Sequence, residues 1–342
     1  MGENKTIRES SAELLRIICI LSVLMHHFCI HALYPEIVPL NIIDKGPDSH
    51  LILGLYGFVY SIGINCMILI SGWFGIKARW KGFVNLYVIY AFYILLASYR
   101  HFFSWDTVFH VLLPFSQGHL WFMECYLGLF LVAPILNAAM ESMNNKQLGI
   151  ALLLLGISTQ YFGSFWQMSA FDTNGYSIVH FVFVYLIGGF LRRTVTDETR
   201  QHYRWHFFGA YVTLALVWGA ITILKAYQWR TGFHLQHWNV WGQNNTVLML
   251  KDIAFFLFMM SWHFQNKVVN RFAMSTLGVY MLNDLVVQYD FLRPYSDVYG
   301  AWGKLALWIG TTIVFYILAV GVDQIRILIT RPLLNKITGI SH

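Results

Sequence analysis

The sequence predicts an all-α integral membrane protein with about ten transmembrane helices and with both termini in the cytoplasm. Three observations lead to this prediction. Apolar residues make up 57% of the 342 residues and charged residues only 12%, which is about half the charged share of a soluble domain. The apolar residues fall into runs long enough to cross a bilayer. The basic residues concentrate in alternate loops, as the positive-inside rule requires.

This composition disfavours several classes of protein. A soluble fold of this length has to cover its surface with polar side chains, and the chain holds too few of them. A cytosolic enzyme, a disordered chain and a nucleic-acid binder are therefore all disfavoured. The four cysteines show no paired spacing, so we expect neither disulfides nor a metal site. The first apolar run has no cleavage signature and is interpreted as a permanent span.

Ten apolar runs have about the length that one bilayer crossing requires, which is roughly 20 residues. In chain order they cover residues 13–33, 51–73, 82–98, 119–139, 148–166, 176–191, 206–224, 247–264, 275–292 and 304–328. The stretch 101–117 is too short and too broken to cross, and it is interpreted as an interfacial or re-entrant segment. No soluble domain is left over, so we predict a single transmembrane domain over residues 1–342.

The loops give the orientation. A cytoplasmic N-terminus and ten alternating spans place fifteen Lys and Arg residues in the inner loops or at the inner ends of spans and six on the outer side, with Lys304 and Arg326 counted at the two ends of the last span. This asymmetry supports the orientation and the even number of spans. It also explains the net charge of +6 without a nucleic-acid partner. We therefore expect a multi-pass protein of the inner (plasma) membrane.

The first span carries ionisable residues where a transmembrane helix normally has none. Arg16 and His27 lie eleven residues apart, which at about 100° per residue places them on one face of the helix. Glu13 and His31 extend this stripe by one turn at either end, whereas His26 is predicted on a different face. Such groups usually face a cavity or a partner. The alternatives are an interfacial Glu13–Arg16 ion pair and a packed histidine.

Five segments carry motifs in series. They are Arg16 and His27 in ELLRIICILSVLMHHF, INCMILISGWF at 64–74, GHLWFMECYLGLFLVAPILN at 118–137, HFVFVYLIGGFLRR at 180–193 and TLGVYMLNDLV at 276–286. Together they resemble membrane acyltransferase family 3, in the short form without an added soluble domain. Two positions depart from the family pattern. Relatives often have an arginine pair where this chain has KARWKGF, and a histidine where it has Asn283 and then Asp284.

The resemblance implies transfer of an acyl group, usually acetyl, to a hydroxyl of an envelope polysaccharide or a lipid-linked saccharide. The donor substrate would be cytoplasmic acetyl-CoA or another short acyl-CoA, with no metal. The implied partners are the lipid bilayer and a saccharide acceptor, and a homo-oligomer stays open. The competing hypothesis is a multi-pass transporter or exporter of a lipid-linked sugar or small acid. The sequence lacks the two related halves that transporters often show.

Histidine suits general-base catalysis because its pKa lies near neutrality. We therefore predict that His27 takes the proton of the acceptor hydroxyl, while a covalent acyl-histidine relay stays open. Glu124 or Asp284 is predicted to orient His27, and the sequence does not show which. The residues predicted to bind the donor are Arg16, Lys77, Arg79 and Lys81. For the last three, the positive-inside rule is an equal explanation.

The fourth span carries further polar and aromatic residues. We predict that His119, Trp121 and Tyr126 contact the substrate. The alternative for Glu124 in the same span is a hydrogen-bonded carboxyl between helices. Two asparagines in other motifs are expected to form interhelical hydrogen bonds, namely Asn65 and Asn137.

Overall fold

The computed structural model describes residues 9–33, 47–98, 105–113, 120–231, 238–287, 289–296 and 300–338. Within these residues the regular secondary structure is entirely helical. The α-helices are α1 (Ser10–Phe28), α2 (Pro47–Val59), α3 (Ile62–Phe74), α4 (Trp80–Ala97), α5 (Trp105–Leu112), α6 (Trp121–Ser142), α7 (Asn145–Gly156), α8 (Ile178–Thr194), α9 (Asp197–His202), α10 (Arg204–Thr231), α11 (Thr246–Met259), α12 (Lys267–Ala273), α13 (Thr276–Leu285), α14 (Arg293–Ser296) and α15 (Ala301–Thr338). A π-helical turn follows α1 at Cys29–Leu33, and another follows α7 at Ile157–Phe165.

Seven helical stretches among the described residues are long and apolar enough to cross a membrane. They are Ser10–Leu33, Ile52–Phe74, Trp80–Ala97, Trp121–Ser142, Asn145–Phe165, Arg204–Lys225 and Trp302–Ile337. The protein is therefore a multi-pass all-α membrane protein. The other three predicted spans contain α8, α11 and α13, which have 17, 14 and 10 residues. The length of α8 is at the lower limit for one crossing, and α11 and α13 are shorter than that limit. The count of ten crossings stays a prediction.

Loops that the sequence assigns to one side of the membrane meet in the structure. The backbone N–H of Ser10, at the start of α1, donates to the carbonyl of Phe264 at 3.2 Å. The guanidinium of Arg204, at the start of α10, donates to the carbonyl of Ser261 at 2.9 Å. The first turn of α1 thus lies beside the α9–α10 junction and the α11–α12 loop.

Two glycines in the motif segments lie where helices approach closely. A Cβ atom at Gly72 in α3 would overlap the backbone carbonyl of Tyr185 in α8. A Cβ atom at Gly278 in α13 would overlap the carboxylate of Asp323 in α15. Small residues at such contacts are typical of helices in lipid, where close packing replaces the hydrophobic effect.

The second predicted span is one apolar run in the sequence but two helices in the structure. Tyr60 and Ser61 separate α2 from α3, and Ser61 is left-handed with φ at 68°. The ammonium group of Lys251 donates to the carbonyls of Gly57 and Tyr60, which the break leaves without helical partners. The hydroxyl of Ser61 donates to the Asp252 carboxylate at 2.7 Å. Broken helices are tolerated in membranes only where such groups find partners.

Two motif asparagines connect helices. Asn65 Nδ2 in α3 donates to the Asp252 carboxylate in α11 at 2.7 Å. Asn137 in α6 accepts a hydrogen bond from the Tyr185 hydroxyl in α8 at 2.6 Å and donates to the Ile76 carbonyl at 2.9 Å. The prediction of interhelical hydrogen bonds at both asparagines is confirmed.

Candidate active site

A cavity of about 850 Å³ lies between α1, α3, α4, α6, α13 and α15. Arg16 and His27 both line it, and their positions lie about 16 Å apart along α1. The volume is that of a site for a small molecule or cofactor. The cavity is therefore long enough to hold two substrates that approach from opposite ends of the helix bundle.

Basic side chains line the cavity at the end nearest the first turn of α1. They are Arg16, Lys81, Arg326 and Arg331. Two of them are already paired, because Arg16 lies 2.6 Å from Glu13 and Arg326 lies 2.6 Å from Asp323. The other two, Lys81 and Arg331, are exposed and form no hydrogen bond or ion pair with the described part of the chain. This end of the cavity therefore offers two cations to an anionic ligand.

His27 lines the cavity near the other end of α1, one residue before the final residue of that helix. Its Nδ1 atom lies 2.6 Å from Asn283 Nδ2, 3.1 Å from the Tyr289 hydroxyl and 3.4 Å from the Asp284 carboxylate. The side chain is 22% exposed, and its Nε2 atom has no hydrogen-bond partner among the described residues. Nδ1 is thus held by the protein, and Nε2 is free to react.

The amide of Asn283 contacts Nδ1 of His27. Its Nδ2 faces the imidazole and also donates to the Asp284 carboxylate at 3.0 Å, while its Oδ1 accepts a hydrogen bond from the Tyr289 hydroxyl at 2.7 Å. In this orientation Nδ1 of His27 is the acceptor and Nε2 carries the proton. Nε2 is the free base in the other tautomer, in which Nδ1 carries the proton, donates toward the Asp284 carboxylate at 3.4 Å and gives up the contact with the Asn283 amide.

Of the two carboxylates that the sequence predicts as partners of His27, only one lies beside it. Asp284, in α13, lies beside the imidazole and lines the cavity. Glu124, in α6, does not line the cavity, and its Oε1 atom is buried without a hydrogen-bond partner in the described residues. The geometry therefore favours Asp284 as the orienting carboxylate, while the structure supplies no interhelical hydrogen bond to that oxygen of Glu124.

The other predicted site residues divide into three groups. Trp121 and Tyr126 line the cavity. Lys77 and Arg79 are exposed in the loop before α4 and do not line it. The prediction for His119 lies outside the described residues. Of the four predicted donor-binding cations, the structure therefore brings only Arg16 and Lys81 to the cavity.

His26, which the sequence predicts on a different face of α1 from Arg16 and His27, also belongs to the site. His26 lines the same cavity, and its ring centroid lies 5.4 Å from that of His27. Its Nδ1 atom shares a short hydrogen bond with the Tyr56 hydroxyl. The reason is geometric: the lining residues of α1 cover about half of the helix circumference, so the cavity is wider than one stripe.

The positive-inside pattern alone accounts for Arg326 and Arg331 in the sequence, and it does not predict that they line the cavity. One feature of the sequence does point to a cavity beside Arg326. Asp323 and Arg326 form an ion pair three residues apart inside the last apolar helix, and both are buried. Ionisable residues in a span usually mark a cavity or a partner. The hydroxyl of Tyr93 in α4 completes this group by donating to Asp323 at 2.8 Å.

Comparison with known proteins decides the class of this site. The family model described as an acyltransferase domain, that of acyltransferase family 3, matches residues 9–323. The chain belongs to acyltransferase family 3. No curated protein and no solved structure matches it at a significant level.

Membership of acyltransferase family 3 favours an enzyme over the transporter that the composition allowed. The match covers the other helices that line the cavity, whereas the part of α15 that lines it, residues 326–335, follows the matched range. The protein is thus a membrane acyltransferase.

Proposed function

We propose that this protein is an O-acyltransferase that moves an acetyl group from cytoplasmic acetyl-CoA to a hydroxyl of an envelope polysaccharide or lipid-linked saccharide. One observation carries the proposal. One cavity is lined at one end by two cations, Lys81 and Arg331, that have no partner among the described residues, and near the other end by an imidazole whose Nε2 likewise has none there. The positive-inside pattern places the cationic end in the cytoplasm, where acyl-CoA is found.

The cationic end suits the donor. Coenzyme A carries several phosphate charges, and arginine and lysine are the side chains that bind phosphate most strongly in proteins. Lys81 and Arg331 have no competing carboxylate in the described residues, whereas Arg16 is held by Glu13 at 2.6 Å. We assign phosphate binding to Lys81 and Arg331. We assign Arg16, deeper in the cavity, to the part of the donor nearer the thioester.

The His27 end suits the chemical step. A sugar hydroxyl is a weak nucleophile until a base removes its proton during attack. In the tautomer that carries its proton on Nδ1, His27 Nε2 takes the hydroxyl proton as the sugar oxygen attacks the thioester carbon. When the C–S bond breaks, the imidazolium returns the proton to the departing thiolate. Asp284, 3.4 Å from Nδ1, stabilises the imidazolium in between and holds the ring in place.

An aromatic pair in the cavity wall suits the acceptor. Trp121 and Tyr176 both line the cavity, and their ring centroids lie 4.4 Å apart. Aromatic rings offer flat apolar faces to the C–H face of a sugar, while their polar atoms remain available for hydrogen bonds.

Mass spectrometry of envelope glycans tests the proposed reaction. Glycans from cells with and without this protein are compared for acetyl groups released by mild alkali. The proposal expects one acetyl mass per modified hydroxyl only where the protein is present. Identical glycans in both cells would contradict the proposed acceptor. Transfer of a larger acyl mass would correct the donor and leave the enzyme class intact.

A further inference from the structure

The segment before α11 places one glutamine side chain in the cavity wall. The backbone N–H of Gln243 donates to the carbonyl of Asn174 at 2.8 Å, and its carbonyl accepts from Asn65 Nδ2 at 3.1 Å. The residue is only 2% exposed and lines the cavity. Since its backbone is held on both sides, the direction of its side chain is fixed by the fold.

The turn at Asp172–Gly175 packs closely against Gln243. Gly175 has a φ of 79°, and a Cβ atom there would lie 2.7 Å from Gln243 Cβ. Its N–H donates to the Asp172 carboxylate at 3.0 Å. Burial raises the pKa of the Asp172 carboxyl, while hydrogen bonds from the loop counter this rise. The Asp172–Gly175 turn therefore holds the carbonyl of Asn174 within hydrogen-bonding distance of the backbone of Gln243.

The side chain of Gln243 leaves one strong acceptor unused. Its Oε1 atom is buried and has no hydrogen-bond partner among the described residues. The side chain lies near the hydroxyl of Tyr176, whose ring is tilted by 49° against that of Trp121 with the centroids 4.4 Å apart. A buried carbonyl oxygen without a partner is costly to a fold, and such atoms in a cavity wall commonly serve a ligand.

We propose that Gln243 Oε1 accepts a hydrogen bond from a hydroxyl of the acceptor saccharide, beside the Trp121–Tyr176 pair. This inference rests on the proposed function and adds a binding site that determines which sugar is accepted. The contact is between neutral groups, so the structure assigns this site to a neutral, hydroxyl-bearing sugar ring rather than to an anionic group. Gln243 binds and positions the acceptor, and the proton transfer belongs to His27.

Steady-state transfer kinetics with purified full-length protein test the assignment. The donor is labelled acetyl-CoA, and the acceptor is envelope glycan extracted from cells that lack this protein. Gln243→Leu is expected to lower kcat/KM for the glycan about tenfold or more, because the hydroxyl loses its partner. The KM for acetyl-CoA is expected to stay unchanged. Gln243→Glu keeps an oxygen in the same place and is expected to lose less than Gln243→Leu.

Gln160→Leu is the matched control, because Gln160 does not line the cavity and its Oε1 accepts from exposed Thr246 at 3.2 Å. It is expected to leave both KM values unchanged. Unchanged glycan kinetics in Gln243→Leu, or equal losses in its Leu and Glu variants with normal acetyl-CoA binding, would overturn the acceptor site alone. An absence of transfer by the wild-type protein to any glycan would overturn the proposed function and the site together.

Discussion

His27 combines a fixed orientation with an accessible nitrogen. Its Nδ1 atom is surrounded by Asn283, Asp284 and Tyr289 within 3.4 Å, while Nε2 has no partner in the described residues. An imidazole held in this way keeps its ring orientation while Nε2 takes up and releases a proton. Asn283 stands where relatives often carry a histidine, and the proposal gives its amide a share in orienting His27.

The two candidate carboxylates can be separated by one pair of isosteric substitutions. Asp284→Asn removes the charge 3.4 Å from His27 and is expected to lower kcat by about two orders of magnitude, because the imidazolium loses its counter-charge. Glu124→Gln changes a carboxyl away from the cavity wall and is expected to leave kcat within about a factor of three of wild type. Acyl-transfer rates, normalised to folded protein, measure both. Equal losses would show that Asp284 has no special place beside the base.

Four variants that each replace one cation by a neutral side chain test the donor assignment. Two of the cations line the cavity and two do not. Lys81→Gln and Arg331→Gln are expected to raise the KM for acetyl-CoA about threefold to tenfold each, because each removes a charge-assisted contact with phosphate. Lys77→Gln and Arg79→Gln, outside the cavity wall, are the controls and are expected to leave that KM unchanged. A rise confined to the controls would move the donor site to the loop before α4.

At the scale of elements, the break between α2 and α3 is the feature that shapes the cavity. Tyr60 and Ser61 at the break both line the cavity, and the buried Lys251–Asp252 pair supplies partners for the groups around the break. A continuous helix over 52–74 would leave Lys251 without those carbonyls. We therefore interpret the buried Lys251–Asp252 pair as the partner of the backbone and side-chain groups that the break between α2 and α3 exposes.

Removing the ammonium of Lys251 is expected to destabilise the protein. Lys251→Met leaves the carbonyls of Gly57 and Tyr60 without their donor and removes the counter-charge of the buried Asp252 carboxylate, which keeps its hydrogen bonds from Ser61 and Asn65. The expected loss is about 3–5 kcal/mol of unfolding free energy. Denaturation of the purified protein in detergent measures it. Lys267→Met, at the exposed start of α12, is the control and is expected to change stability by less than about 0.5 kcal/mol. A Lys251→Met variant as stable as wild type would show that the break stands without the ion pair.

The sequence predicted which residues share a face of one helix better than it predicted which helices pack against each other. Periodicity placed Arg16 and His27 on one face, because an α-helix has a fixed rotation per residue, and both residues line the cavity. It could not choose between Glu124 and Asp284, since that depends on which helix packs beside α1. It missed Arg331 and Gln243 because their roles come from tertiary packing of α15 and of a loop. The break at Ser61 stayed hidden because Ser61, Gly63 and Asn65 are too few polar or small residues to interrupt the apolar run over 51–73.

At the scale of the whole molecule, the account requires a donor side and an acceptor side. The first turn of α1, the α9–α10 junction and the α11–α12 loop meet at one end. The cations of the cavity lie toward this end, and His27 lies toward the other. The orientation predicted from the positive-inside pattern puts the cationic end in the cytoplasm, and the proposed function then requires thioester and sugar to reach His27 from opposite sides of the membrane.

Thiol labelling tests this orientation. The four native cysteines are buried, so a single introduced cysteine reports on its own position. Lys77→Cys is expected to react with a membrane-impermeant reagent only in inside-out vesicles, and Met168→Cys only in intact cells, because each residue is exposed at one end of the bundle. Labelling of both from the same side, or each from the opposite side, would contradict the assigned orientation.

The central claim is that His27 is the base at which acyl donor and acceptor meet. The most direct measurement is label transfer from acetyl-CoA to envelope glycan by purified His27→Ala, with His206→Ala as an exposed-histidine control. The account predicts a loss of about 10²- to 10⁴-fold in kcat for His27→Ala, with the KM for acetyl-CoA unchanged and His206→Ala equal to wild type. Transfer by His27→Ala at the wild-type rate would contradict it.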